Sequence, residues 1–155
     1  CLLPFLLLAG NTFLLLSCIR LMFSGDTSTL KVFNYTIRKL SVVFPILLWL
    51  IHIAATVTDF DLYKMGLLPR NTTGLLGIVT APLIHGDFSH LISNTFPLIV
   101  LGWIILFFYP KVSHFLFIFI YLVTGLLVWI FARQVYHIGA SGIVYGFVSF
   151  LFLNK

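Results

Sequence analysis

His85-Gly86-Asp87-Phe88-Ser89-His90-Leu91-Ile92-Ser93-Asn94 is a polar segment that opens a long apolar run, and Gly139-Ala140-Ser141-Gly142 opens another. Each puts hydrogen-bonding groups inside a chain otherwise composed for lipid. Polar groups at membrane depth are costly, and their presence there points to function. His90 and Asn94 are four apart and share one helix face. Ser141 and Tyr145 are four apart on theirs. Were the two faces to meet, one cavity would hold Ser141, His90, Asn94 and Tyr145.

The chain around these segments is 61% hydrophobic and 8% charged over 155 residues. A soluble domain carries about a quarter charged residues, so this chain cannot cover a water-facing surface. It reads as a single all-α domain, a polytopic membrane helix bundle. The net charge of +5 comes from nine Lys and Arg against four Asp. The basic residues are scattered singly or in pairs, which argues against nucleic acid as a partner and for a role in membrane orientation. Cys1 and Cys18 sit in apolar sequence without metal spacing and read as filler.

A spanning helix needs ~20 mostly apolar residues. Leu40–Val57, His90–Phe108 and Phe115–Phe131 approach that length, and Ile138–Leu153 is shorter. Leu2–Met22 is a further apolar run, within an N-terminal segment over 1–24. It reads either as an extra helix or as a mis-assigned start ahead of Met22. About four core spans are therefore expected, with one more possible. Ser24–Lys39 and Thr58–Leu83 read as connections, the second long and mixed. Positive-inside bias puts Lys31, Arg38, Lys39, Lys111 and Lys155 in the cytoplasm. Lys64, Arg70 and Arg133 then face out with Asp59, Asp61 and Asp87. Both polar segments fall at outward helix starts. Asn94 lies ~10 Å down its helix at 1.5 Å per residue, and Ser141, heading a short helix, is expected at similar depth.

A serine attacking an amide generates an oxyanion that needs preorganised donors. The Ser141 N–H at a helix start, the Asn94 amide and a His90 ring N–H are candidates. Gly139 and Gly142 permit a tight turn and close backbone approach. Gly142 and Gly146 form a small-xxx-small pair suited to close helix packing. Taken alone, each residue has a plainer reading. Ser141 reads as an N-cap, His90 as an interfacial histidine, Asn94 as an interhelical hydrogen-bonding residue and Tyr145 as packing. Their coincidence on one side of the membrane favours chemistry. His85, Asp87 and His90 do not suit a metal, since two histidines five apart on one helix diverge. Ile143 stands where the G-x-S-x-G elbow of soluble hydrolases needs its last glycine. His52 reads as a buried mid-span residue and His114 as interfacial. His137 is the only histidine near Ser141 in sequence, but it precedes the helix.

From about Arg38 to Leu153 the chain resembles the rhomboid intramembrane serine proteases, over their first four core helices. HGDFSHLISN with Thr95, and GASGIVYG, carry the likeness. Gly66-Leu67-Leu68-Pro69-Arg70 ahead of Gly74-Leu75-Leu76-Gly77 is similar to the first outer loop of bacterial members. The resemblance implies a multi-pass protein of a bacterial inner membrane, with residues 38–155 the N-terminal part of a rhomboid protease domain. It implies Ser141 as nucleophile, His90 and Asn94 lining the oxyanion hole and His85 at its outer rim. Gly139 would shape the nucleophile loop, and Tyr145 would stack on the catalytic histidine. Single-span membrane proteins would be the substrates, with no metal or organic cofactor. In the family the general base is a histidine on a sixth core helix, and none of the five histidines here matches it. The expectation is thus an incomplete bundle, inactive as it stands and part of an active enzyme. Its Gly142/Gly146 face would be left unpacked. The rival readings are a non-catalytic rhomboid-like protein that binds membrane clients, a small transporter and a structural subunit.

Overall fold

The computed structural model describes residues 27–154, with side chains from Val42 onward. The apolar run Leu2–Met22, both cysteines and Lys155 lie outside the described residues. So do the side chains of Lys31, Arg38 and Lys39. All regular structure among the described residues is helical: α1 (Thr27–Thr58), the one-turn α2 (Gly77–Thr80), α3 (Phe88–Phe108), α4 (Ser113–Phe131) and α5 (Ser141–Leu153), with three short 3-10 turns in the first connection.

α3 and α4 are long and apolar enough to cross a membrane. Their apolar residues run all the way round. Leu91, Asn94, Leu98, Gly102 and Ile105 of α3 are buried, while Phe96, Trp103, Phe107 and Phe108 stand exposed on its other faces. A helix that is hydrophobic on its exposed side as well as its buried side is solvated by lipid. The protein is therefore an integral membrane protein. Inside, Phe44 and Leu48 of α1 meet Leu91, Leu98 and Ile105 of α3, Leu116 and Ile120 of α4, and Ile143, Phe147 and Phe150 of α5 in one core.

α5 packs against both α3 and α4, and α1 packs against α3, with Phe44 of α1 also meeting Phe117 and Tyr121 of α4. Tyr109, just past the end of α3, donates its hydroxyl to the Asn154 carbonyl just past the end of α5, at 2.6 Å. α3 and α5 therefore run parallel and finish at one level. At 1.5 Å per residue, 21 residues against 13 start α5 roughly 12 Å below the head of α3. The recessed start expected for Ser141 follows from this difference in length.

One connection departs from expectation, and a second, read as long and mixed, is closely held. Ser24–Lys39 read as a loop, but α1 begins at Thr27 and runs 32 residues. No Gly or Pro interrupts Thr27–Lys39, so nothing local stops the helix there. Thr58–Leu83 is built from short turns rather than open chain. Asn71 accepts from the Thr73 N–H at 2.9 Å, and the Thr80 hydroxyl reaches the Met65 carbonyl at 2.5 Å. Leu67 and His137 exchange both backbone bonds, at 2.9 and 2.8 Å. Arg70 Nη1 donates to the carbonyls of Ile130 (3.1 Å) and Ala132 (2.8 Å). These unpaired carbonyls at the end of α4 want such a donor.

Candidate active site at the start of α5

Ser141 is the first residue of α5. The capping position is Ala140, and no side chain caps the helix. The hydroxyl is thus not used as an N-cap, which removes the plainest structural explanation for a serine here. The first N–H groups of a helix have no intrahelical acceptor and carry the positive end of its dipole. They gather around Ser141.

The loop before Ser141 turns through Gly139, whose φ of +100° belongs to the region that disfavours side chains. A Cβ placed on Gly139 would stand 2.7 Å from both Cε1 and Nε2 of His90, and 3.8 Å from Nδ2 of Asn94. The Gly139 N–H is held by the Ala81 carbonyl at 2.9 Å. The serine loop therefore presses its backbone onto the histidine and the asparagine.

α3 sets those two side chains. Asp87, with extended backbone, caps the helix by accepting from the His90 N–H at 2.7 Å. The helix starts at Phe88, two residues before the start expected from sequence. Asn94 is buried and gives one amide N–H to the His90 carbonyl at 2.9 Å, which fixes its head and leaves the second N–H free to donate.

His85 lies outside the helix and folds back, so the rings of His85 and His90 meet edge to face with centroids 5.0 Å apart. The expectation that these histidines diverge on one helix is therefore corrected. Burial pushes the His85 imidazole down to about 4, helped by His90 and His52; the Leu83 carbonyl pulls the other way without reaching hydrogen-bond geometry.

Ser141 and Tyr145 line a cavity of about 250 Å³ together with Gly139, His137, Thr124 and Tyr121. His90 and Asn94 do not line it; they meet the serine loop through Gly139. The His90/Asn94 face meets the turn before α5 at Gly139, a residue that also lines this cavity. Gly142 and Gly146 are not left open either. Gly142 packs against Thr124 and Gly146 against Ile120, both on α4. That face is closed by the fourth helix of the fold, correcting the expectation that it stays unpacked.

His137 reaches the Arg133 carbonyl through Nε2 at 3.0 Å. His114, in the first turn of α4, is buried by protein, with Nδ1 2.9 Å from the Ser113 hydroxyl. His52 is buried with its ring edge-on to Phe88, centroids 4.6 Å apart. Among the described residues no group of three or more His, Cys, Asp or Glu side chains is placed to hold a metal.

The model of the Rhomboid domain matches residues 72–155. The chain belongs to the rhomboid family. Its curated relatives include uncharacterized proteins of Mycobacterium tuberculosis and Mycobacterium bovis. Both are 34% identical over 116 residues, which is 70% of this chain and 48% of theirs. One of Mycobacterium leprae is 28% identical over 138 residues, covering 83% of this chain and 54% of that protein. The rhomboid chain thus spans about half the length of the curated relatives it matches. No solved structure matches it.

Proposed function

We propose that this rhomboid chain carries the nucleophile and oxyanion hole of an intramembrane serine endopeptidase acting on single-span membrane proteins near the outer side of the bilayer. One observation carries the reading: the turn before Ser141 lies directly on the imidazole of His90 and the carboxamide of Asn94. No packing rule requires a positive-φ glycine there. A hydrolase requires a hydroxyl, a helix-start N–H and two side-chain donors within reach of one another.

Ser141 Oγ attacks the scissile carbonyl, and its proton passes to a general base, for which the family uses a histidine on its sixth core helix. The carbonyl oxygen, now negative, is held by the Ser141 N–H, the free Asn94 N–H and a His90 ring N–H. The leaving amine takes the proton from the base. Water then hydrolyses the ester on Ser141. His85 borders the hole through its contact with His90, and Tyr145 stands one turn along the face of Ser141 to receive the catalytic imidazole.

The test uses the full-length polypeptide as the cell makes it. A fluorophosphonate probe should label it at Ser141, and a single-span substrate should be cut. Ser141→Ala should abolish both while leaving the melting temperature in detergent intact. Cleavage that survives this substitution ends the peptidase reading. A folded protein that never labels supports the rival reading, a non-catalytic rhomboid-like binder of membrane clients.

A further inference from the structure

Between the end of α1 and the loop ahead of α3 lies a cavity of about 310 Å³. Its polar lining comes from His52 and Thr56 of α1, from Asp59 and Asp61 just beyond that helix, and from His85. Phe60 and Tyr63 line it as well, and both are exposed. Amphipathic aromatic rings gather where a membrane meets water. Leu50, Ile53 and Val57 are spaced to share one face of α1. All three are exposed, and Val57 adjoins the lining residue Thr56 in the chain. The edge of the cavity is therefore within reach of lipid.

The charge of the lining selects a ligand. Asp59 and Asp61 are exposed, and among the described residues neither has an ion-pair partner. Asp61 accepts from the Tyr63 N–H at 2.9 Å. His85 is only 6% exposed, and neither ring nitrogen has a hydrogen-bond partner among the described residues. A buried polar group without a partner costs free energy. The His85 ring is neutral at pH 7, so one of its nitrogens is an acceptor. Two carboxylates and an acceptor nitrogen match a primary ammonium, which carries three N–H donors. A quaternary ammonium has none and leaves His85 unsatisfied. Lys64 follows Tyr63 and is exposed, likewise without an ion-pair partner among the described residues. Acid and base side by side complement a ligand that joins an ammonium to a phosphate. A lysine of a peptide would use the carboxylates and leave Lys64 idle.

We propose that this cavity binds the headgroup of an ethanolamine phospholipid, with Asp59 and Asp61 on the ammonium, His85 accepting its third N–H and Lys64 on the phosphate. The acyl chains then follow the Leu50, Ile53 and Val57 stripe of α1. The site is independent of the peptidase reading, since neither Ser141 nor Asn94 lines it. A bound headgroup would tie the first connection to the end of α1 and to the loop ahead of α3.

Native mass spectrometry of the full-length polypeptide in detergent tests it, with ethanolamine and choline phospholipids of identical acyl chains. The ethanolamine lipid should bind about tenfold more tightly, the difference expected from a hydrogen bond to a charged group. Asp59→Asn combined with Asp61→Asn, both at exposed positions, should bring the two lipids to equal binding. His85→Phe should lose the preference, and His85→Gln, which keeps an acceptor, should retain it. Lys64→Gln should weaken both lipids alike, since both carry the phosphate. Equal binding by the unsubstituted protein overturns the proposal, as does a preference that survives His85→Phe or the loss of both carboxylates. Undiminished binding in Lys64→Gln removes the phosphate contact and overturns the headgroup assignment. Displacement of the bound lipid by a lysine-bearing single-span peptide, but not by O-phosphoethanolamine, gives the cavity to a peptide. Binding of O-phosphoethanolamine with no preference between the lipids gives it to a free amine. Either outcome overturns the lipid assignment.

Discussion

Gly139 and His90 are in such close contact that a single added methyl group would fall 2.7 Å from the imidazole. The turn and the ring are fitted to each other, and neither can shift alone. Gly139→Ala adds that methyl at a φ of +100°, a strain of about 1–3 kcal/mol. The expected outcome is a lower melting temperature together with loss of fluorophosphonate labelling in the full-length polypeptide, because the ring must leave its place. Asn94→Ala removes only one oxyanion donor, a loss typically worth ~10²–10³ in rate. Cleavage assays should show it impaired and still measurable.

Arg70 ties the first connection to the end of α4 through the carbonyls of Ile130 and Ala132. Bonds from a charged donor contribute about 1.5–3 kcal/mol. Arg70→Ala should lower the thermal midpoint in detergent accordingly. Arg70→Lys should recover only part of it, since a lysine lacks the rigid fork of donors. Equal midpoints for Arg, Lys and Ala would show the anchor to be idle.

Gly146 admits Ile120 of α4 so closely that no side chain fits between the helices. Gly146→Val should force α5 away from α4 at a cost of about 1–3 kcal/mol, the usual range for overpacking. Truncating the partner in the same chain, Ile120→Ala, should recover part of that loss. A double-mutant cycle with no coupling would refute the contact.

His85 sets a pH dependence of stability. Its ring is held neutral down to about pH 4, below the ordinary histidine value of 6.5. Below pH 6.5 the unfolded chain takes up a proton that the folded chain refuses. Stability therefore falls as pH drops from 6.5 to 4 and levels off beneath that, by up to roughly 3 kcal/mol at 1.36 kcal/mol per unit. Denaturation in detergent between pH 7 and pH 4 should show a shallower slope in His85→Gln. Parallel curves would assign the acid sensitivity elsewhere.

Apolar runs made the helices legible, because lipid imposes a minimum length on any span. Their ends were less so. The Asp87 cap was written in the sequence as an aspartate three residues ahead of His90, yet the whole polar segment read as a lead-in to a helix beginning at His90. The turns between Thr58 and Leu83 are too short for periodicity to register, and bonds to distant carbonyls hold them. The spacing of His90 with Asn94 and of Gly142 with Gly146 was legible as helix faces. What each face meets was not, since that depends on α5 being short and lying between α3 and α4. The fold of His85 back onto His90 is likewise a property of the loop, invisible to spacing along one helix.

The paired backbone bonds between Leu67 and His137 join two connections that are seventy residues apart in sequence. With Gly139 also clipped to Ala81, the lobe formed by the first connection and the turn that carries Ser141 form one mechanical unit. A grip on that lobe, such as a binding protein raised against residues 59–70, would act as a handle on Ser141 without touching α5.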